Sequence, residues 1–127
     1  MKLVTGIKGK ESTIVNESNT AKTVGSGTLD VFATPAMIAL MEKTAWKSVA
    51  GYLEEGCGTV GISLNVTHDA PTPLGMEVTC ESELVKVDGR KLTFELKAYD
   101  EKGAIGKGTH ERFIVNDVKF QEKADGK

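Results

Sequence analysis

The chain has 127 residues, 39% of them hydrophobic and 27% charged, with a formal net charge of -2. That length suits one domain over residues 1–127, able to bury roughly two thirds of its unfolded surface. Lys and Arg are spread without a basic block, which argues against nucleic acid as a partner. No run of about 18 apolar residues exists to span a membrane.

The start, "MKLVTGIKGKES", lacks the apolar core of a secretory signal, so a cytoplasmic location is expected. A first strand is expected near residues 10–24. "TPAMIALMEKTAWKSVAGYLEEG" then reads as one helix of about five turns. Thr34 suits its N-cap, Pro35 its first helical position and Gly56 its stop. Lys43, Lys47 and Glu54 form a wetted stripe, and Ile38, Ala45, Val49 and Leu53 lie on another face. Residues 36–41 carry no polar side chain, as expected of a helix wrapped by sheet. Glu42 projects toward Ile38, Ala45, Trp46 and Val49, where a carboxylate is costly without a partner. A marginal residue reaching water and a functional carboxylate both fit this placement.

Four strands are expected next, at about 58–69, 77–87, 91–99 and 104–116. Asp88-Gly89 and "DEKG" at 100–103 are tight-turn signals. Short connections predict an antiparallel meander. The result is an α+β arrangement: strand, long helix, four strands. The last seven residues, "QEKADGK", are polar and expected to fray. Cys57 and Cys80 have no metal-like spacing and are expected to be free thiols.

In "GTVGISLNVTHDAPTPLG" the apolar set is Val60, Ile62, Leu64 and Val66. Period two puts His68 on their side, toward the helix bearing Glu42. A structural histidine bonded to a carbonyl and a catalytic one both fit. Thr34, at the helix start, is an N-cap by its sequence and a hydroxyl near unpaired N–H groups by its position. Gly61 inside a strand marks either a bulge or a close approach. His110 reads as structural on a charged strand surface. Arg112 could position substrate or pair with a carboxylate. Lys86, Arg90 and Lys91 are candidates for holding an anionic group such as a phosphate, with no motif to choose among them.

"VFATPAMIALME", "NVTHDAPTPLG", "LVKVDGRKLTFELKAYD" and "GKGTHERFIVN" together resemble the fluoroacetyl-CoA thioesterase group of hotdog-fold acyl-CoA thioesterases, over about residues 31–116. The resemblance implies a hotdog fold, a curved antiparallel sheet of about five strands wrapped around one long helix. It implies hydrolysis of an acyl-CoA thioester, with coenzyme A entering as part of the substrate and no other cofactor or metal. It implies a homodimer or higher homo-oligomer with active sites at the subunit interface. The family's catalytic threonine, glutamate and histidine fall on Thr34, Glu42 and His68, and its strand glycine and late arginine on Gly61 and Arg112. The stretch ahead of "VFAT", "TVGSGTLD", is shorter than the fluoroacetyl-CoA enzyme's lid and has no phenylalanine before Phe32. A short-chain acyl-CoA thioesterase of unassigned preference is therefore expected. Two other readings stand beside it: a hotdog-fold hydratase or dehydratase, and a non-catalytic acyl-CoA-binding module.

Overall fold

A computed structural model describes residues 2–127. Strand β1 (Lys8–Ile14) leads through a short helix α1 (Ala21–Val24) to the long helix α2 (Thr34–Ala50). Strands β2 (Cys57–His68), β3 (Glu77–Asp88), β4 (Lys91–Asp100) and β5 (Gly103–Asn116) follow, then helix α3 (Asp117–Asp125). All five strands form one antiparallel sheet in the order β1-β3-β4-β5-β2.

The two tight turns expected from sequence join β3–β4 and β4–β5. Asp88 pairs with Lys91, and Asp100 with Gly103, so each loop has two residues. The meander stops there. β2 does not pair with β3: residues 69–76 carry the chain across, and β2 pairs with β5 at the opposite edge. A connection of eight residues with two prolines is too long and stiff for a tight hairpin.

α2 lies on one face of this sheet. Met37, Met41, Ala45 and Val49 are buried against Val78, Leu84, Leu92, Phe94 and Ile105. Lys43 and Lys47 stay in water near Glu11 of β1, at 4.0 and 3.8 Å. Leu92, Phe94 and Leu96 are buried, as the alternation in β4 requires.

Several boundaries differ from the sequence reading. The expected strand over 10–24 ends at Ile14, because Thr20 caps α1 by accepting from the Thr23 N–H and Gly25 closes it at φ 88°. α2 ends at Ala50, with Gly51 rather than Gly56 as its cap. Its N-cap is Ala33, so Thr34 is the first helical residue and does not use its hydroxyl for capping. The tail is helical to Asp125, capped by Asn116 accepting from the Lys119 N–H.

The face assignment in β2 changes most. Gly61 pairs with Arg112 and Ser63 with Glu111, which leaves Ile62 as the extra residue of a bulge. A bulge inverts the alternation, so Gly61 sits on the helix side with Arg112, whereas Val60 pairs with the exposed Phe113. Beyond the bulge, Leu64, Val66 and His68 return to the helix side, paired with His110, Gly108 and Gly106. The expectation that Val60, Ile62, Leu64 and Val66 form one core face does not hold. Ile62 is 50% exposed and Leu64 37%, because Ile62 is displaced by the bulge and β2 is an edge strand that α2 covers only in part.

Candidate active site

The segment before α2 is pinned by backbone bonds. The Phe32 N–H donates to Thr72 O at 2.9 Å, and the Ala33 N–H to Asn19 O at 2.9 Å. Phe32 itself is buried in the core. At the end of β2, the Asp69 N–H donates to Ile105 O at 2.6 Å. These two anchors bring the start of α2 against the end of β2. Thr34 Oγ1 lies 2.7 Å from His68 Nδ1.

The pair borders an open pocket of about 240 Å³, rimmed by Ala21, Ser26, Val31 and Pro71. His68 Nε2 is buried and has no hydrogen-bond partner among the described residues. Burial lowers the imidazole pKa below 6.5, opposed by the Asp69 carboxylate and a backbone contact at Ala70. A neutral imidazole whose Nδ1 accepts from the Thr34 hydroxyl has its remaining proton on Nε2, the unpartnered atom.

Glu42 stands elsewhere. Eight helical positions separate it from Thr34, about 12 Å along the axis. Its Oε2 lies 3.2 Å from Arg112 NH1. Within the chain the cation beside this carboxylate is Arg112, not His68. The same NH1 lies 3.1 Å from His110 Nε2. Arg112 Nε donates to Thr59 Oγ1 at 2.8 Å, and NH2 to Thr59 O at 2.9 Å. All three guanidinium nitrogens are thus engaged, and the residue is 5% exposed.

Gly61 makes room for this cluster. A Cβ there would stand 2.6 Å from Glu42 Oε2, 3.3 Å from His110 Cε1 and 3.4 Å from Arg112 NH1. Gly61 adjoins the bulge, and the group that approaches it closely within the chain is the Glu42 side chain. His110 is fully buried rather than on a charged surface. Only Glu111 faces outward, bonded to Ser63 Oγ at 2.8 Å and 3.4 Å from Lys91. Alternation along β5 puts His110 and Arg112 on one face and Glu111 on the other; the burial of that pair was missed because its residue types suggested surface. Of the phosphate candidates, Lys91 is occupied by Glu111. Arg90 borders a cavity of about 580 Å³ together with Lys2 and Lys119.

The chain thus carries two separate polar clusters: a hydroxyl–imidazole pair at one end of α2, and a carboxylate–guanidinium pair one-half helix away. A five-stranded antiparallel sheet around one long helix, bearing such polar groups along that helix, is the architecture of the hotdog thioesterases. The chain belongs to the fluoroacetyl-CoA-specific thioesterase family, FlK, whose model matches residues 15–118. It is 45% identical over 94 residues to a fluoroacetyl-CoA thioesterase from Streptantibioticus cattleyicolor, covering 74% of this chain and 68% of the relative. A solved structure of the fluoroacetyl-CoA thioesterase FlK superposes with a TM-score of 0.94 at 34% identity, over 100% of this chain and 98% of that one. A thioesterase superfamily member from Thermus thermophilus gives a TM-score of 0.86 at 28% identity, over 94% and 89% of the two chains.

Proposed function

We propose that this protein is an acyl-CoA thioesterase that hydrolyses a short-chain acyl-CoA to the free acid and coenzyme A. The observation that carries the reading is the 2.7 Å contact between Thr34 Oγ1 and His68 Nδ1 beside an open pocket. Hydrolysis of a thioester needs a nucleophile and a base to take its proton. His68 is neutral at working pH and can accept a proton from the Thr34 hydroxyl, or from a water that Thr34 holds. It can return that proton to the leaving thiolate of coenzyme A. Glu42 is the third participant, as base, nucleophile or partner to the His68 ring. Coenzyme A arrives with the substrate, and no further cofactor is invoked. The segment at residues 23–30 carries no aromatic side chain to close the pocket. Selectivity for a fluorinated acyl group is therefore not carried over from the relatives.

The working unit is a homodimer. β2 is a twelve-residue edge strand with its outer side unpaired and with Ile62 and Leu64 exposed. Such an edge is a template for a second strand. Trp46, one turn on from Glu42, is 43% exposed. Antiparallel pairing of two β2 strands about an axis at Asn65 keeps facing side chains on one side of the sheet and, with Ile62 as the extra residue of the bulge, sets His68 opposite the partner's Gly61. Thr34 and His68 of one protomer would then meet the partner's Glu42. The unpartnered His68 Nε2 supports that arrangement. Cys57 and Cys80 are free thiols, which suits the cytoplasmic location we assign. Among the described residues, no helix is long and apolar enough to cross a membrane.

Thiol release across a panel of acyl-CoAs tests the activity. Wild type should release thiol, and His68→Ala should lower turnover by about 10²–10⁴-fold. Tight binding of several acyl-CoAs with no release would instead mark a binding module. Mixing His68→Ala with Glu42→Gln protein tests the shared site. One intact site per heterodimer should restore about a quarter of wild-type activity. No restoration after subunit exchange would confine each site to one protomer.

A further inference from the structure

His110 is one of two histidines and has no part in the scheme above. It is fully buried, 6.3 Å from the Phe94 ring by centroids. Its Nδ1 lies 2.8 Å from Ser63 O, a carbonyl that can only accept, so Nδ1 carries the ring proton. Nε2 then has a lone pair, and Arg112 NH1 lies 3.1 Å away to donate into it. The same NH1 reaches Glu42 Oε2 at 3.2 Å. The chain of contacts runs from the bulge in β2, through His110 and Arg112, to the carboxylate on α2.

We propose that His110 is a positioning residue for Glu42: neutral, with its proton on Nδ1, it orients the Arg112 guanidinium that holds the Glu42 carboxylate against Gly61. The inference rests on the reading that Glu42 takes part in hydrolysis. A second ring proton would point an N–H at the Arg112 N–H and break the chain. The protein's other influences on the ring act accordingly. Burial, first, and then the Arg112 charge push its pKa down, while the Ser63 carbonyl and the Glu42 charge oppose them. Glu42 from α2 and Arg112 from β5 are the charged groups in this cluster; β2 contributes Ser63 and Thr59, and β4 contributes Phe94. Packing alone would not require a histidine here. The Arg112 NH1, already shared with a carboxylate, finds in Nε2 a neutral acceptor that aims it without competing for its charge.

The experiment is a double-mutant cycle with a spectroscopic readout. His110→Leu should lower kcat up to about a hundredfold, as misplacement of a reacting group does, with KM little changed. His110→Gln keeps an acceptor near the Nε2 position and should recover most of that kcat. In a Glu42→Gln background, His110→Leu should cost nothing further, because the group it positions is already lost. Equal losses in both backgrounds, or no rescue by Gln, would overturn the proposal. Imidazole ¹⁵N spectra of wild type should show a neutral ring protonated on Nδ1 between pH 6 and 8; an Nε2–H or charged ring would overturn it whether or not the variants fold. Should wild type release no thiol from any acyl-CoA, the hydrolase reading fails separately. The Glu42 side-chain carboxyl ¹³C signal then decides, and an unchanged signal in His110→Gln and His110→Leu would sink the positioning role.

Discussion

Arg112 NH1 stands 3.2 Å from Glu42 Oε2, with the arginine side chain 6% exposed and the glutamate 39%. The charge pair is lopsided: the cation is enclosed and the anion keeps a path to solvent. A carboxylate held from the inside and open on the other side is available to a substrate or to a partner strand. Its second oxygen is the one free to act.

Arg112→Lys should therefore damage function more than a charge-conserving change suggests. A guanidinium serves Thr59, His110 and Glu42 through three nitrogens, and a single ammonium cannot. The variant should lose about 1.5–3 kcal/mol of stability, the usual worth of hydrogen bonds to a charged group. Turnover should fall beyond what the folded fraction explains. Denaturant melts and thiol release on the same preparation check this, and full turnover per folded molecule would refute it.

Gly61→Ala separates structure from chemistry. Gly61 has no positive φ, so alanine fits the backbone. Its Cβ would collide at 2.6 Å with Glu42 Oε2, the far end of a flexible side chain. The carboxylate can swing away cheaply, and a strand alanine recovers backbone entropy. Stability should stay within about 1 kcal/mol of wild type. Activity should drop because Glu42 has been displaced. Unchanged activity would mean that the position of this carboxylate does not matter.

The contrast between β4 and β2 shows what sequence could and could not reveal. In β4, strict alternation put Leu92, Phe94 and Leu96 in the core, and they are there. Two-residue turns at Gly89-Arg90 and Glu101-Lys102 were readable because turn chemistry is local. In β2 the same alternation misassigned Val60 and Ile62, because a bulge changes the count by one and leaves no clear mark except Gly61. The place of β2 in the sheet is set by a crossover, which no local pattern encodes. The Thr34–His68 contact was partly legible: His68 shares a side with Leu64 and Val66 beyond the bulge. The Glu42–Arg112 pair was not, since it joins residues 70 positions apart and depends on the inverted face at Gly61.

The exposed edge makes a prediction about assembly. Ile62→Glu puts a charge at an exposed position of the bulge, where a free protomer tolerates it in water. In a dimer joined through β2, that charge would lie at the seam and lose solvent. The variant should sediment as a folded monomer and lose most thiol release. A dimer of unchanged affinity would place the interface elsewhere.

The last prediction concerns pH and begins with His68. Burial lowers its pKa from 6.5, and the Asp69 carboxylate pulls the other way. A general base must be unprotonated, so a lowered pKa extends activity to lower pH. The acid limb of kcat/KM in the free enzyme should have its midpoint below 6.5. Asp69→Asn removes the opposing charge yet retains an oxygen to accept the bond that Thr67 Oγ1 makes to Oδ2 at 3.0 Å. The limb should then move to still lower pH. Stability shifts with the same sign. The unfolded chain binds this proton from about pH 6.5 downward, before the folded state does. The contribution is therefore constant above that pH and is lost as pH falls toward the folded value. His110 is also lowered by burial and adds to the same trend. Circular dichroism at each pH separates the two effects, because loss of fold would lower activity without moving the limb in Asp69→Asn. A limb that stays put, or moves up, would mean that His68 is not the base.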